Sequence, residues 1–157
     1  MTKVGITGHQ KIPTEALDYV TRGISDCLQH VARPVVGYSS LALGADQLFA
    51  RTVLDLGGDL IAVIPCHGYE TMFQSEDLLA YNSLLARSTA VTTLDYPAPS
   101  EDAYMAAGEM VIESSDVIIA VWDGKPAAGL GGTGDAVAHA RAIGKQVIVV
   151  WPEGVSR

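Results

Sequence analysis

The feature that most limits what this chain can become is the unbroken apolar run Val117-Ile-Ile-Ala-Val121. It shows no alternation of polar and apolar residues. A strand of that kind is covered on both faces, which points to a parallel sheet with helices on each side. Asp123-Gly124 breaks the run, and Gly129-Leu-Gly-Gly-Thr-Gly-Asp135 follows. Helix-forming sequence then extends from about 134 to 144. The segment reads as strand, glycine-rich loop and helix, and a helix N-terminus presents unpaired N–H groups and a partial positive charge to an anion.

The rest of the chain repeats this alternation. Further strands are expected at Lys3–Thr7, Pro34–Tyr38, Leu60–Ile64, the weaker Ala90–Leu94 and Gln146–Trp151, and the apolar run itself at 116–122. Leu17, Val20, Ile24, Cys27, Leu28 and Val31 recur at three- and four-residue steps, so 14–32 reads as an amphipathic helix opened by Thr14. Helices follow at 45–56, stopped by Gly57-Gly58, at 70–87 in two pieces, and at 101–114 behind the cap residue Ser100. This is the pattern of one doubly wound, Rossmann-like α/β domain spanning 1–157, with a mostly parallel sheet flanked by helices. Its loops at 8–11, 39–44, 65–70 and 123–134 leave the C-terminal ends of strands, where such sheets bind ligands.

Acidic residues outnumber basic ones 18 to 10, a net charge of −8. A nucleic-acid-coating surface needs a basic footprint, so no nucleic-acid partner is expected on this balance. A small phosphorylated ligand held by backbone amides is compatible with it. Cys27 and Cys66 form no disulfide pattern, no leader is evident, and no apolar run reaches membrane-spanning length. A cytoplasmic chain without membrane contact is expected. His9, His30, His67 and His139 are scattered, so no metal site is expected, and no cofactor is assigned.

The candidate ligand contacts fall in the four loops. Gly131, Gly132 and Thr133 suit a cradle of backbone amides, and Gly124 and Asp123 end the central strand beside them. Gly8, His9 and Gln10 follow the first strand, next to the expected point where strand order reverses. Ser39, Ser40, Gly44 and Asp46 gather where a helix starts, with Asp46 in reach of ribose or acting as a first-turn acid. Two carboxylates are candidates for chemistry, Asp135 in the first turn after the loop and Glu70 after the third strand. Lys11 and Lys125 are candidates to neutralise a phosphate, and Trp122 and Tyr38 to stack on a base.

Gly5-Ile-Thr-Gly-His9, Ser40-Leu-Ala-Leu-Gly-Ala-Asp46 and Asp116–Gly124 with Gly131-Gly-Thr-Gly-Asp135 together resemble the SLOG superfamily. Its Rossmann-like members include the LOG phosphoribohydrolases, the DNA-processing DprA proteins and the molybdenum-cofactor carrier proteins. The resemblance covers nearly the whole chain and implies a nucleotide or nucleotide-derived ligand at the strand C-terminal edge. It also implies a homo-oligomer, since LOG-like relatives are commonly dimers. In LOG enzymes the loop ends in a glutamate that, with an upstream arginine, is linked to N-glycosidic cleavage. Here Asp135 is the nearest carboxylate, and no basic residue lies between Tyr104 and Trp122. The expectation is therefore a nucleotide-binding sensor or carrier. The alternative is an N-glycosidic-bond hydrolase or transferase acting on nucleoside monophosphates.

Overall fold

A computed structural model describes residues 1–126 and 132–157. Six strands, β1 (Thr2–Gly8), β2 (Val35–Ser39), β3 (Asp59–Ile64), β4 (Ala90–Thr93), β5 (Val117–Val121) and β6 (Gln146–Val149), form one sheet in the order β4-β3-β2-β1-β5-β6. Every pairing is parallel. Five helices connect them: α1 (Thr14–His30), α2 (Ala45–Asp55), α3 (Ser75–Arg87), α4 (Glu101–Ser114) and α5 (Thr133–Ala142). The Rossmann-like expectation holds.

The central strand explains the architecture. All five residues of β5 are buried, as an apolar run without alternation requires. On one face Ala16, Val20, Ile24 and Leu28 of α1, with Phe49 and Val53 of α2, close over Val4, Ile6, Ile119 and Val121. On the other face α4 packs through Ala107 and Val111 beside Val63, and α5 through Ala140 on Ile118. Strand β4, by contrast, is exposed throughout, as an edge strand of mixed Ala, Val and Thr.

Element boundaries differ from expectation for local reasons. Helix α1 has Pro13 at its N-cap and no side-chain cap, so Thr14 does not serve as one. Proline supplies the pre-set φ instead. Ser100 does cap α4, accepting Ala103 N–H at 3.1 Å. The 70–87 segment splits into a 3-10 turn at Tyr69–Met72 and α3, because Phe73 and Gln74 are extended between them.

Strand order reverses at β1, which has β2 on one side and β5 on the other. The chain is drawn tight there. A Cβ on Gly8, the last residue of β1, would lie 2.5 Å from Ala45 Cβ and 2.8 Å from Val121 Cβ, so only glycine lets β1, β5 and α2 meet. Gly44, with φ of +77°, turns the chain into α2 directly against the backbone of His9 and Gln10.

Candidate functional site

The strand C-terminal ends open into a cavity of about 840 Å³. The loop after β1 supplies Gly8, His9, Gln10 and Lys11, and the turn into α2 supplies Ser40, Leu43 and Asp46. The far wall is aromatic, with Tyr69, Phe73 and Tyr104. The near rim holds Lys125, the start of α5 at Gly132, Thr133 and Gly134, and Arg157. A smaller cavity of about 350 Å³ lies at the opposite sheet edge, around Leu28, Val53 and Gly58. Its one charged group, Arg33, already donates to Leu56 O at 3.3 Å, so the chemistry is concentrated in the larger space.

Three cations, Lys11, Lys125 and Arg157, therefore line one cavity of an acidic protein. Helix α5 adds the positive end of its dipole, and Gly132 at its N-cap gives it no side-chain cap. The leading N–H groups of such a helix suit an anionic acceptor.

His9 and Asp123 meet where strand order reverses. His9 is 4% exposed and is held by its backbone to both neighbours, its N–H donating to Val121 O and its carbonyl accepting Ala45 N–H, both at 3.1 Å. Trp151 packs against the ring edge-on at 5.3 Å. Asp123 N–H donates to Nε2 at 3.0 Å, and Arg157 Nη1 lies 3.1 Å from Nδ1. A neutral imidazole accepts at only one of its two nitrogens, and the Asp123 carboxylate Oδ1 also lies 3.3 Å from Nε2. Burial and the adjacent Arg157 lower the His9 pKa, outweighing the Asp123 carboxylate, which raises it.

The Asp123 carboxyl is 2% exposed. Burial raises its pKa, but the Lys125 N–H, His9 and Arg157 together outweigh burial and leave it lowered. Lys125 N–H donates to Oδ1 at 3.0 Å. Oδ2 has no hydrogen-bond partner among the described residues, with Arg157 Nε 3.7 Å away.

Asp46 sits in the first turn of α2 and borders the cavity. Its Oδ2 accepts Ala42 N–H at a long 3.4 Å. Burial pushes its carboxyl up to about 7, with the Ala42 N–H offsetting part of the effect. Beneath it, Ser39 is fully buried; its hydroxyl accepts Leu41 N–H at 3.1 Å and donates to Asp46 O at 3.0 Å. Ser39 fixes the turn that carries Asp46. Burial also raises the Tyr69 and Tyr104 hydroxyls, which stay protonated as neutral donors.

The sequence-expected residues divide into groups. Gly8, His9, Gln10, Ser40, Asp46, Gly132 and Thr133 line the cavity. Ser39, Gly44 and Asp123 lie behind its wall, positioning what faces it. Gly124 forms an exposed turn at φ of +84°, and Gly131 lies outside the described residues. Glu70 and Asp135 are both exposed and are not part of the lining. The aromatic wall and Arg157 were not anticipated. Tyr104 sits on a helix that reads as packing, and a tail arginine carries no motif. Among the described residues no group of three or more His, Cys, Asp or Glu is placed to hold a metal, and no helix is long and apolar enough to cross a membrane.

No family model matches the sequence, and no curated protein matches it. Solved structures share its fold. DNA processing protein A from Helicobacter pylori, which has a distinctive single-stranded DNA binding mode, aligns with a TM-score of 0.69 at 19% identity, over 94% of this chain and 64% of its own. The Streptococcus pneumoniae DprA aligns at 0.58 and 19% identity, over 94% of this chain and 58% of its own. The present chain thus spans less than two thirds of either DprA chain. The molybdenum cofactor carrier protein of Chlamydomonas reinhardtii aligns at 0.55 and 17% identity, over 94% of this chain and 75% of its own. The first of these corrects the exclusion of nucleic acid drawn from the acidic composition, because a protein of this fold binds single-stranded DNA. The physical reason is that net charge sums over the whole surface, whereas phosphate responds to local charge, and here three cations converge on one cavity. The structural neighbours include DprA and molybdenum cofactor carrier proteins, so the likeness to the SLOG superfamily holds at the level of fold.

Proposed function

We propose that this protein binds a phosphorylated, nucleotide-type ligand in the cavity at the C-terminal edge of the sheet and acts as a sensor or carrier of it. The observation that carries this reading is the convergence of Lys11, Lys125 and Arg157 with the uncapped N-terminus of α5 on one cavity of a protein with net charge −8. Cations and helix N–H groups hold the phosphate, and the wall of Tyr69, Phe73 and Tyr104 offers aromatic surface to a base. The carboxylates proposed for N-glycosidic chemistry, Glu70 and Asp135, are exposed and outside the lining, which favours binding over cleavage.

The test is thermal stabilisation by nucleoside monophosphates, inorganic phosphate and a short single-stranded oligonucleotide, with chromatography for released base. Stabilisation by monophosphates without base release supports the reading. Accumulation of free base above background assigns an enzyme instead, and stabilisation by none of the probes removes the nucleotide reading. Lys125→Ala is expected to weaken all monophosphates alike and to reduce the salt dependence of binding, as loss of a phosphate contact does.

A further inference from the structure

The cavity has two chemically different ends. Its cations come from the β1 and β5 loops and the C-terminal tail, and its acid and aromatic wall from the turn into α2, the 3-10 turn and α4. Strands β2 and β5 flank β1, and the chain enters α2 over the β1 loop, with Ala45 N–H donating to His9 O, so Asp46 and Lys125 reach the cavity from opposite sides of β1. Inorganic phosphate cannot touch both ends. A nucleoside monophosphate reaches from one to the other.

Resting on the nucleotide reading above, we propose that Asp46 selects the ligand by its ring, accepting in its ionised form the two adjacent N–H donors of a guanine-type edge beside Tyr69 and Tyr104. The carboxyl has one long hydrogen bond, from Ala42 N–H at 3.4 Å, and none of the ion pairs among the described residues involves it. Its Oδ1 accepts no hydrogen bond from the described residues, and a guanine-type edge supplies two donors side by side. An adenine-type edge presents one donor and one acceptor, and it pairs with a protonated acid or an amide. The groups that share the cavity with Asp46 are His9 and Lys11 from the β1 loop, Lys125 and Arg157 across it, and Tyr69 and Tyr104 opposite. The Asp46 charge in turn opposes ionisation of Tyr69, while no charge from α1 or α3, which also approach α2, moves Asp46.

Titrating the protein calorimetrically with guanosine and adenosine monophosphates between pH 6 and pH 8 tests this. Over that range a carboxyl near 7 goes from about one tenth to about nine tenths ionised. The affinity for the guanosine ligand relative to the adenosine ligand is expected to rise at least about tenfold. Titration of the ligand phosphate is common to both and cancels in the ratio. Asp46→Asn is expected to flatten the pH dependence of the ratio and to shift preference toward adenosine. A wild-type ratio that does not move between pH 6 and pH 8 while both ligands bind overturns this inference and leaves the nucleotide reading standing. Binding of neither ligand overturns both. The wild-type pH series decides the matter alone if the variant does not fold.

Discussion

Replacing Asp46 by asparagine is expected to stabilise the protein, and to do so only where the carboxyl would be ionised. The carboxyl has an ordinary value of 3.8 and is pushed up to about 7 by burial. Each pH unit of that displacement corresponds to about 1.4 kcal/mol, so the folded state loses about 4 kcal/mol to this one group when it is fully ionised. Because the folded-state value lies above the unfolded one, its stability contribution is complete below about pH 3.8 and is lost as pH rises through about 7. Asparagine keeps the shape, and its carbonyl can still accept Ala42 N–H, but it never ionises. Between pH 5 and pH 8 the stability gap between variant and wild type is expected to widen by about 3 kcal/mol. For a domain of this size that is roughly 6–12 °C of melting temperature. Thermal melts of both proteins across that range read it directly, and His9 titrates equally in both. A gap of the same size at pH 5 and pH 8 would refute the argument, because it would show that burial does not penalise the charge.

Three other substitutions probe the scaffold. Ser39→Ala strands the buried Leu41 N–H and takes the donor from the partly buried Asp46 O. A cost of about 1–3 kcal/mol is expected, seen as a lower denaturant midpoint at unchanged slope. Gly8→Ala places a methyl 2.5 Å from Ala45 Cβ and 2.8 Å from Val121 Cβ, neither of which is the end of a flexible side chain. An overpacking cost of at least about 1–3 kcal/mol is expected, and a melt within 1 °C of wild type would contradict the close approach. Arg157→Ala removes one of the two causes that lower the His9 pKa, so the ring should titrate at higher pH than in wild type in a proton NMR series. An unchanged titration would place the guanidinium away from the ring in solution.

The fold was legible because its signals are local and redundant. The run Val117–Val121 has one physical home, a strand covered on both faces, and Ala16, Val20, Ile24 and Leu28 lie on the stripe that the α1 periodicity marks. The loops that line the cavity were legible for the same reason, since each follows a recognisable strand. Three things were not legible. Arg157 lies far from His9 in sequence, and only the path of the tail brings them together. Tyr104 reads as a packing residue, because helical periodicity does not say which part of a stripe outlasts the core and reaches a cavity. Asp46 was named as a candidate contact, but its raised pKa was not legible. What sets it apart is the depth of its surroundings, which depends on every element packed around it.

The arrangement at β1 also shifts where a ligand is expected to sit. In open parallel sheets the crevice forms where strand order reverses, here between β1 and β5. In this chain that crevice is filled by its own side chains. His9 bridges β1, β5 and α2 through its backbone, while Asp123, Arg157 and Trp151 close around its ring. The open volume is displaced toward β2, β3 and α4, where the surroundings are aromatic and the one acid is Asp46. The ligand proposed above, anchored by phosphate at α5, would then lie across the top of β1, with its uncharged end toward Tyr69 and Tyr104. Asp46 is half-buried at the cavity edge, in surroundings that disfavour its charge, where asparagine would also satisfy Ala42 N–H. Its position at the far end of this path is the arrangement expected of a group kept for what it recognises.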